Sequence, residues 1–286
     1  MTKHLTRWQV LASSNAMPAF PRVIEQILAT LEDPDASLKL LAAHVEQDPV
    51  ITARVLALAN AAGAHTQRRA AMRDVYSATS LIGLSRLRDM AIMSGLLGFF
   101  DTFAPPEKKQ TYWQHSVAVG ICCEEVAAHA PAASLPQAPL IAGLLHDIGQ
   151  LWLYRFEAEA YRAAWDYAQQ HQVSIDVAER EQFGVDHARI GAWLVASWNL
   201  PENIYNAIAQ HHAPDENQLE PLVAVVHVAE VVGNALGLVE REGNRVTTLS
   251  AAACAMLGIR WDASAQQLFG RIEARSSQAR SFFSPP

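Results

Sequence analysis

Apolar side chains recur along most of the chain at the spacing of a helix face. Near the N-terminus, a first set falls on one side of a 3.6-residue helix: Val23, Ile24, Ile27, Leu28 and Leu31. Sustained alternation of apolar and polar positions, the pattern of a half-buried strand, does not occur in the sequence. The pattern therefore predicts an all-α protein.

Turn and capping residues divide the chain into predicted helices. Asp33-Pro34-Asp35 ends the first helix, Ser37 suits the N-cap of a second, and Asp48-Pro49 begins a third. The tail 276–286 contains Ser and Pro, and we expect it to fray. Further helices are predicted over residues 74–82, 84–100, 112–129, 139–154, 158–171, 174–183, 186–198, 201–210, 219–236, 249–257 and 262–275.

Pro105-Pro106 is the clearest break in this series of helices, and it separates two predicted helical lobes. We therefore predict an N-terminal lobe over residues 1–105 and a second lobe over residues 106–240. A helical extension and tail, residues 241–286, would follow. A chain of 286 residues is long enough for one large domain or two small ones.

Composition and charge exclude several classes of protein. The chain has 22 Lys and Arg against 29 Asp and Glu, a net charge of -7, which argues against duplex-DNA binding through a broad basic face. Three cysteines are too few for the disulfide framework of a secreted protein, and an odd number would leave one of them unpaired. No apolar run reaches the roughly 20 residues that span a bilayer, and the N-terminus does not resemble a signal peptide. We expect a cytoplasmic protein that does not bind membranes.

The pair His146-Asp147 stands inside the apolar run LLHDIG and is the first sign of chemistry. A carboxylate buried without a partner is costly, and a divalent metal ion would satisfy both side chains. The alternative is a buried ion pair or a hydrogen bond within the helix. For His227 we expect pairing with Glu230, one turn later, or contact with solvent. Other candidates for the same chemistry are His115, His187, His211, His212 and Glu230.

Several longer motifs occur in a fixed order over residues 11–238. They are MPAFPRVIEQILATLEDPDASLKLLAAHVEQDPVITARVLALANAAG, LIGLSRLRDMA, YWQHSVAV, AGLLHDIGQL and FGVDHARIGAWLVASWNLP. Together they resemble the HDOD domain, a regulatory relative of the HD and HD-GYP metal-dependent phosphohydrolases. The resemblance implies two all-helical lobes, the second HD-domain-like. It also implies a role in bacterial signal transduction through contacts with signalling protein partners.

The resemblance also implies a set of metal ligands. One divalent ion would use His115, His146, Asp147 and Glu230. A second ion would share Asp147 and use His187, His211 and His212. One or two ions of Fe, Mn, Ni or Zn are the expected cofactor. If the protein is an enzyme, Asp147 is its catalytic residue, as the carboxylate between two metals that activate a water molecule.

Four departures from the enzyme pattern weigh against hydrolysis of cyclic-di-GMP. Gln150 stands where the enzymes carry a lysine that would supply a cation for phosphate, and Thr111 where HD-GYP enzymes carry an acidic residue. Glu230 replaces the distal aspartate, and Ala213-Pro214-Asp215 stands in place of Gly-Tyr-Pro. The leading hypothesis is a signalling module with little or no catalysis. The alternatives are a metal-dependent phosphohydrolase acting on a nucleotide or other phosphoester and, disfavoured by charge, a nucleic-acid binder.

Overall fold

The computed structural model describes residues 3–14, 16–31, 37–64, 74–130, 138–215, 217–238 and 248–283. Within these ranges the chain forms helices joined by turns and bends, and it forms no strand. The prediction of an all-α fold is confirmed. None of the described helices is both long and apolar enough to cross a membrane.

The chain divides into two compact units. One comprises Ala19–Thr102, and the other combines Met1–Pro18 with Phe103–Pro286. The sequence pattern grouped residues 1–18 with the N-terminal lobe, whereas in the structure they pack with the larger, C-terminal unit. Backbone hydrogen bonds explain this, because Lys3 and Leu5 each donate at 2.9 Å, to the carbonyls of Gln182 and Phe183.

The smaller unit is a group of helices around an apolar core. Val45, Val55 and Leu87 are fully buried there. Asp48 accepts hydrogen bonds from the backbone N–H groups of Val50 (2.9 Å) and Ile51 (3.0 Å), which caps the helix that Pro49 begins. Its helices are α2 (Arg22–Leu31), α3 (Leu38–Glu46), α4 (Pro49–Ala64), α5 (Val75–Ile82) and α6 (Leu84–Phe103, whose last residue belongs to the larger unit), counted after α1 (Arg7–Ser14) of the larger unit.

The larger unit is built around a long buried helix, α7 (Lys109–His129), whose neighbours include α8, α14 and α16. The fully buried side chains Trp152, Tyr161 and Phe183 belong to its core. Its other helices are α8 (Pro139–Leu145), α9 (Ile148–Phe156), α10 (Ala158–His171), α11 (Ile175–Phe183), α12 (His187–Ser197), α13 (Glu202–Gln210), α14 (Pro221–Ala235), α15 (Ala251–Met256) and α16 (Ala263–Phe283).

The single helix predicted over residues 139–154 is wrong, because the chain turns at His146 and Asp147 between α8 and α9. Asp147 has φ -97° and ψ 10°, outside the helical region, and its carbonyl accepts a hydrogen bond from the Gln150 N–H at 2.8 Å. Adjacent residues of a continuous helix point about 100° apart. The turn instead lets the side chains of His146 and Asp147 face the same region inside the larger unit.

The C-terminal helix is longer than predicted. Residues 276–283 continue α16 instead of fraying, and Ser276 is buried. Two arginines of α16 anchor it to α7: Arg271 bonds Glu125 at 2.8 Å, and Arg275 bonds Glu125 at 2.9 Å and Glu124 at 2.6 Å. These long-range ion pairs stabilise α16, and the local sequence gives no sign of them.

Candidate metal centre

Seven side chains that the sequence singles out lie together in the larger unit. They come from α7, from the turn between α8 and α9, from the first residue of α12, from the turn after α13 and from α14. Six are buried, and the side chain of His212 is 12% exposed. In chain order they are His115, His146, Asp147, His187, His211, His212 and Glu230.

Asp147 lies at the middle of this cluster, with a different group of histidines facing each carboxylate oxygen. Its Oδ2 is 3.3 Å from His115 Nε2 and 3.5 Å from His146 Nε2. Its Oδ1 is 3.1 Å from His187 Nε2 and 3.9 Å from His211 Nε2. The carboxylate therefore has the position of a ligand shared between two cation sites.

Glu230 closes the cluster on the side of His211 and His212. Its Oε2 is 3.8 Å from His211 Nε2 and 3.8 Å from His212 Nδ1. The structure contains three sets of ligand atoms, and within each set all atoms lie within 4.8 Å of one another, a spacing suited to a metal ion. The set that contains Glu230 also contains His146 and His211. The resemblance grouped Glu230 with His115, His146 and Asp147. The other two sets are His115 with His146 and Asp147, and His187 with His211 and His212.

Hydrogen bonds on the outer side of the rings point nitrogen atoms into the cluster. His146 Nδ1 donates to the Gly143 carbonyl at 2.7 Å, and His211 Nδ1 donates to the Ile208 carbonyl at 2.7 Å. His211 Nε2 and His212 Nδ1 are buried and have no hydrogen-bond partner. Buried polar atoms are normally paired, so these two nitrogens mark a place where a cation fits.

Burial keeps three of the histidines neutral. It lowers the pKa of His146 and of His212 well below the ordinary value. Burial, with the charge of His187, lowers the pKa of His211 to about 4. Metals bind the neutral imidazole, so these rings are in the ligand form at neutral pH.

His187 behaves in the opposite way. Burial alone would lower its pKa, but the carboxylates of Glu179 and Asp147 outweigh burial and hold the pKa well above its ordinary value. A metal ion that binds His187 Nε2 must therefore displace a proton. In the chain without metal, this imidazolium compensates part of the buried negative charge.

Two further side chains take part in the centre. Glu179 of α11 is fully buried, and its Oε2 accepts hydrogen bonds from His187 Nδ1 (2.6 Å) and His187 N (2.7 Å). Sequence reasoning missed Glu179, because an acidic residue among the charged positions of α11 carries no local signal. The sequence singled out Gln150 only as the residue that stands in place of a lysine. In the structure, Gln150 Nε2 donates a hydrogen bond to Asp147 Oδ1 at 2.9 Å.

A close approach between α9 and α12 brings Asp147 to His187. A Cβ atom on Gly149 would lie 2.0 Å from the His187 carbonyl oxygen and 2.8 Å from the Gly191 nitrogen. Glycine is required at this position because a side chain would separate the two helices.

His227 supports the cluster from outside. The expectation that it pairs with Glu230 or with solvent is wrong, since His227 is 1% exposed and both ring nitrogens are used elsewhere. Its Nδ1 donates to the His211 carbonyl at 2.7 Å, and its Nε2 accepts from the Ser250 N–H at 3.0 Å. His227 thus fixes the backbone of a candidate ligand.

The donor set fits a divalent transition metal. Imidazole nitrogens and carboxylate oxygens are the usual ligands of Zn, Fe, Mn and Ni. Asp147 and Glu230 face five histidines, three of which burial keeps neutral. A divalent cation would offset this buried charge and would also use the two unpartnered nitrogens.

The sequence profile of the HDOD domain matches residues 17–214. The chain belongs to the HDOD family. The match includes His115, His146, Asp147, His187 and the pair His211-His212, whereas Glu230 lies beyond it.

Solved structures show the same fold at low sequence identity. An HDOD domain protein of unknown function from Geobacter sulfurreducens is 24% identical, with a TM-score of 0.74 and 96% of each chain covered. A candidate phosphohydrolase from Shewanella amazonensis SB2B is 23% identical, with a TM-score of 0.62, over 96% of this HDOD chain and 94% of that one. A candidate signal-transduction protein from Marinobacter aquaeolei VT8 is 21% identical, with a TM-score of 0.71, over 98% of this chain and 62% of that one.

A curated relative is longer than this HDOD chain. An uncharacterized protein of Treponema pallidum (strain Nichols) is 27% identical over 219 residues, which are 75% of this chain. The chain spans 42% of the length of that relative.

Proposed function

We propose that this HDOD protein is a bacterial regulatory module of the cytoplasm that binds one or two divalent metal ions in its larger unit. It passes a signal to partner proteins by direct contact and has little or no catalytic activity. The observation that carries the metal proposal is the convergence of six other ligand side chains on Asp147, with buried nitrogens on His211 and His212 that have no hydrogen-bond partner.

The ligands divide between two positions. His115, His146 and Asp147 would hold one ion, and His187, His211 and His212 would hold another, with Asp147 shared between them. Glu230 would serve the region between His146 and His211. A bound ion would supply positive charge to the buried carboxylates and the capacity to activate water.

Burial and the identity of residue 150 favour regulation over catalysis. Glu230 and His212, the most exposed of the ligands, have side chains only 10% and 12% exposed, so a phosphoester has little access to the centre. Gln150 is neutral, and its amide already bonds Asp147 Oδ1. A lysine there would present a cation to phosphate, whereas glutamine offers only neutral hydrogen bonds.

Exposed aromatic side chains support action through protein contacts. Trp8 is 78% exposed and Trp261 is 60% exposed on the larger unit, while Tyr76 is 53% exposed on the smaller unit. Tryptophan and tyrosine are enriched where proteins bind one another. The three free cysteines are buried, as is common in proteins of a reducing compartment.

The second candidate is a metal-dependent phosphohydrolase. The observation in its favour is that all seven ligand positions suggested by the enzyme resemblance carry ligand residues and lie together. The likeness to the candidate phosphohydrolase of Shewanella amazonensis is consistent with it.

The metal proposal, on which both functions depend, is tested first. The full chain is purified without added metal or chelator, and its metal content is measured by elemental mass spectrometry beside Asp147→Asn. We expect about one or two equivalents of Fe, Mn, Ni or Zn, lost in the variant. Wild-type protein that is folded but holds no metal and takes none up on titration would refute the metal proposal.

The metal-loaded protein is then assayed against phosphodiester and nucleotide substrates. Our proposal expects no turnover that depends on Asp147. Turnover that disappears in Asp147→Asn, with the fold retained, would establish the phosphohydrolase instead.

A further inference from the structure

Glu179 lies on α11, which supplies none of the candidate ligands, yet it contacts one of them twice. Its Oε2 accepts both the backbone N–H and the Nδ1–H of His187, at 2.7 and 2.6 Å. We propose that Glu179 is the positioning residue of the metal centre and fixes the His187 ring so that Nε2 faces the ion. This inference rests on the metal binding proposed above.

The position of His187 explains why it needs a partner from another helix. The rings of His146 and His211 are each fixed by a carbonyl three residues earlier in the chain, from Gly143 and Ile208. His187 is the first residue of α12, so no preceding helical turn offers a carbonyl to its ring. The carboxylate of Glu179 fills that role.

Holding Nδ1 determines where the other ring nitrogen points, because the two nitrogens lie on opposite sides of the imidazole. With Nδ1 bound to Glu179, His187 Nε2 lies 3.1 Å from Asp147 Oδ1 and 2.8 Å from His212 Nε2. Carboxylates that bond the outer nitrogen of a ligand histidine orient the ring and raise its basicity.

An ion pair between Arg180 and Asp186 also joins α11 to the start of α12, so this junction has a contact besides Glu179. Arg180 bonds both Asp176 (2.7 Å) and Asp186 (2.5 Å), and Asp186 caps α12 by accepting from Arg189 N at 2.9 Å. A fully buried carboxylate is by itself costly to the fold. Its retention is explained if Glu179 serves the ligand.

The test compares metal binding by the full chain with that of two variants at this position. Glu179→Met fills the same volume without an acceptor, and Glu179→Gln keeps an oxygen that can accept from His187. Zn²⁺ affinity is measured by competition with a chelating dye, and the visible absorption of Co²⁺-loaded protein reports the ligand geometry. Glu181→Met, at an exposed position of the same helix, is the matched control.

We expect Glu179→Met to weaken Zn²⁺ binding at the His187 position by about 10- to 100-fold and to change the Co²⁺ spectrum. Glu179→Gln should restore most of the affinity, and the control should bind as the wild type does. Far-ultraviolet circular dichroism in chelator confirms that each variant is folded. If Glu179→Met does not fold, Glu179→Gln decides the test. A tenfold loss of Zn²⁺ affinity in Glu179→Gln, while Glu181→Met keeps the wild-type affinity and Co²⁺ spectrum, would overturn the role of Glu179 as the acceptor that fixes the His187 ring.

Two failures are distinguishable. If the wild type binds Zn²⁺ and folded Glu179→Met has the same Zn²⁺ affinity and the same Co²⁺ spectrum, the role of Glu179 is refuted and the metal proposal stands. A wild-type protein that binds neither Zn²⁺ nor Co²⁺ would refute both.

Discussion

Replacing Gly149 with alanine should force apart the two helices that bring Asp147 and His187 together. The added Cβ would lie 2.0 Å from the His187 carbonyl oxygen, whereas ordinary contact begins at 3.4 Å. Both atoms that it meets first, His187 O and Gly191 N, belong to a helix backbone and cannot turn away as a flexible side chain could. The start of α12 therefore has to move by about 1 Å or more, taking His187 with it.

The size of the effect follows from two opposed contributions. Alanine favours a helix over glycine by about 0.5–1 kcal/mol, but overpacking a dense core costs about 1–3 kcal/mol and sometimes more. Because the clash is with backbone atoms, we take the overpacking cost at about 3 kcal/mol, so Gly149→Ala should lower the free energy of unfolding by about 2 kcal/mol net. Zn²⁺ affinity should fall about tenfold or more, because His187 no longer reaches the ion that Asp147 contacts.

Urea unfolding in chelator measures the first effect, and Zn²⁺ competition measures the second. Gly270→Ala in α16 is the matched control, since nothing lies within 4 Å of the added Cβ. That control should raise the stability by about 0.5–1 kcal/mol and leave Zn²⁺ binding unchanged. If Gly149→Ala were as stable as Gly270→Ala and bound Zn²⁺ normally, the close approach of α9 and α12 would not be what assembles the centre.

Three further predictions concern metal, pH and the support of the cluster. Saturating Zn²⁺ should raise the free energy of unfolding by about 2.7 kcal/mol at 100 times its Kd, and a chelator should reverse this in thermal melts. Burial raises the pKa of Glu125, but its two arginine partners outweigh burial and hold the pKa below 4.5. The pairing therefore stabilises the fold above pH 4.5 and is lost as the pH falls through the lowered pKa. Glu125→Gln should destabilise at pH 7, and this difference from the wild type should shrink as the pH is lowered, measured by urea unfolding. His227→Leu removes the ring that bonds the His211 carbonyl and the Ser250 N–H, and it should cost about 1–3 kcal/mol in the same assay, mainly for the buried His211 carbonyl.

The helices were predictable from local information, and the candidate ligands from the resemblance to the HDOD domain. Apolar periodicity follows from the geometry of one helix, and a metal ligand is recognised by its own chemistry and by a motif such as His146-Asp147. The turn at these two residues was not predictable, because apolar residues continue on both sides of it, from Leu144 and Leu145 to Ile148 and Leu151. Periodicity alone therefore suggests one unbroken helix.

Glu179 and Gly149 show what sequence alone could not supply. The role of each depends on how α12 packs against another helix, α11 for Glu179 and α9 for Gly149. The same holds for residues 276–283, whose helix depends on Arg271, Arg275 and their partners on α7. Long-range contacts of this kind leave no periodic signal in the sequence.

Access to the centre, more than its ligands, separates regulation from hydrolysis. Both proposed functions would use the same histidines and the same Asp147, so the ligand set cannot distinguish them. A phosphohydrolase needs room for a phosphate beside the metal and a cation to receive it. Here the ligands are buried and Gln150 bonds the carboxylate oxygen that also faces His187. A metal held in this way would join helices from five parts of the larger unit, so its binding would be coupled to the stability of that unit, to which the exposed Trp8 and Trp261 also belong.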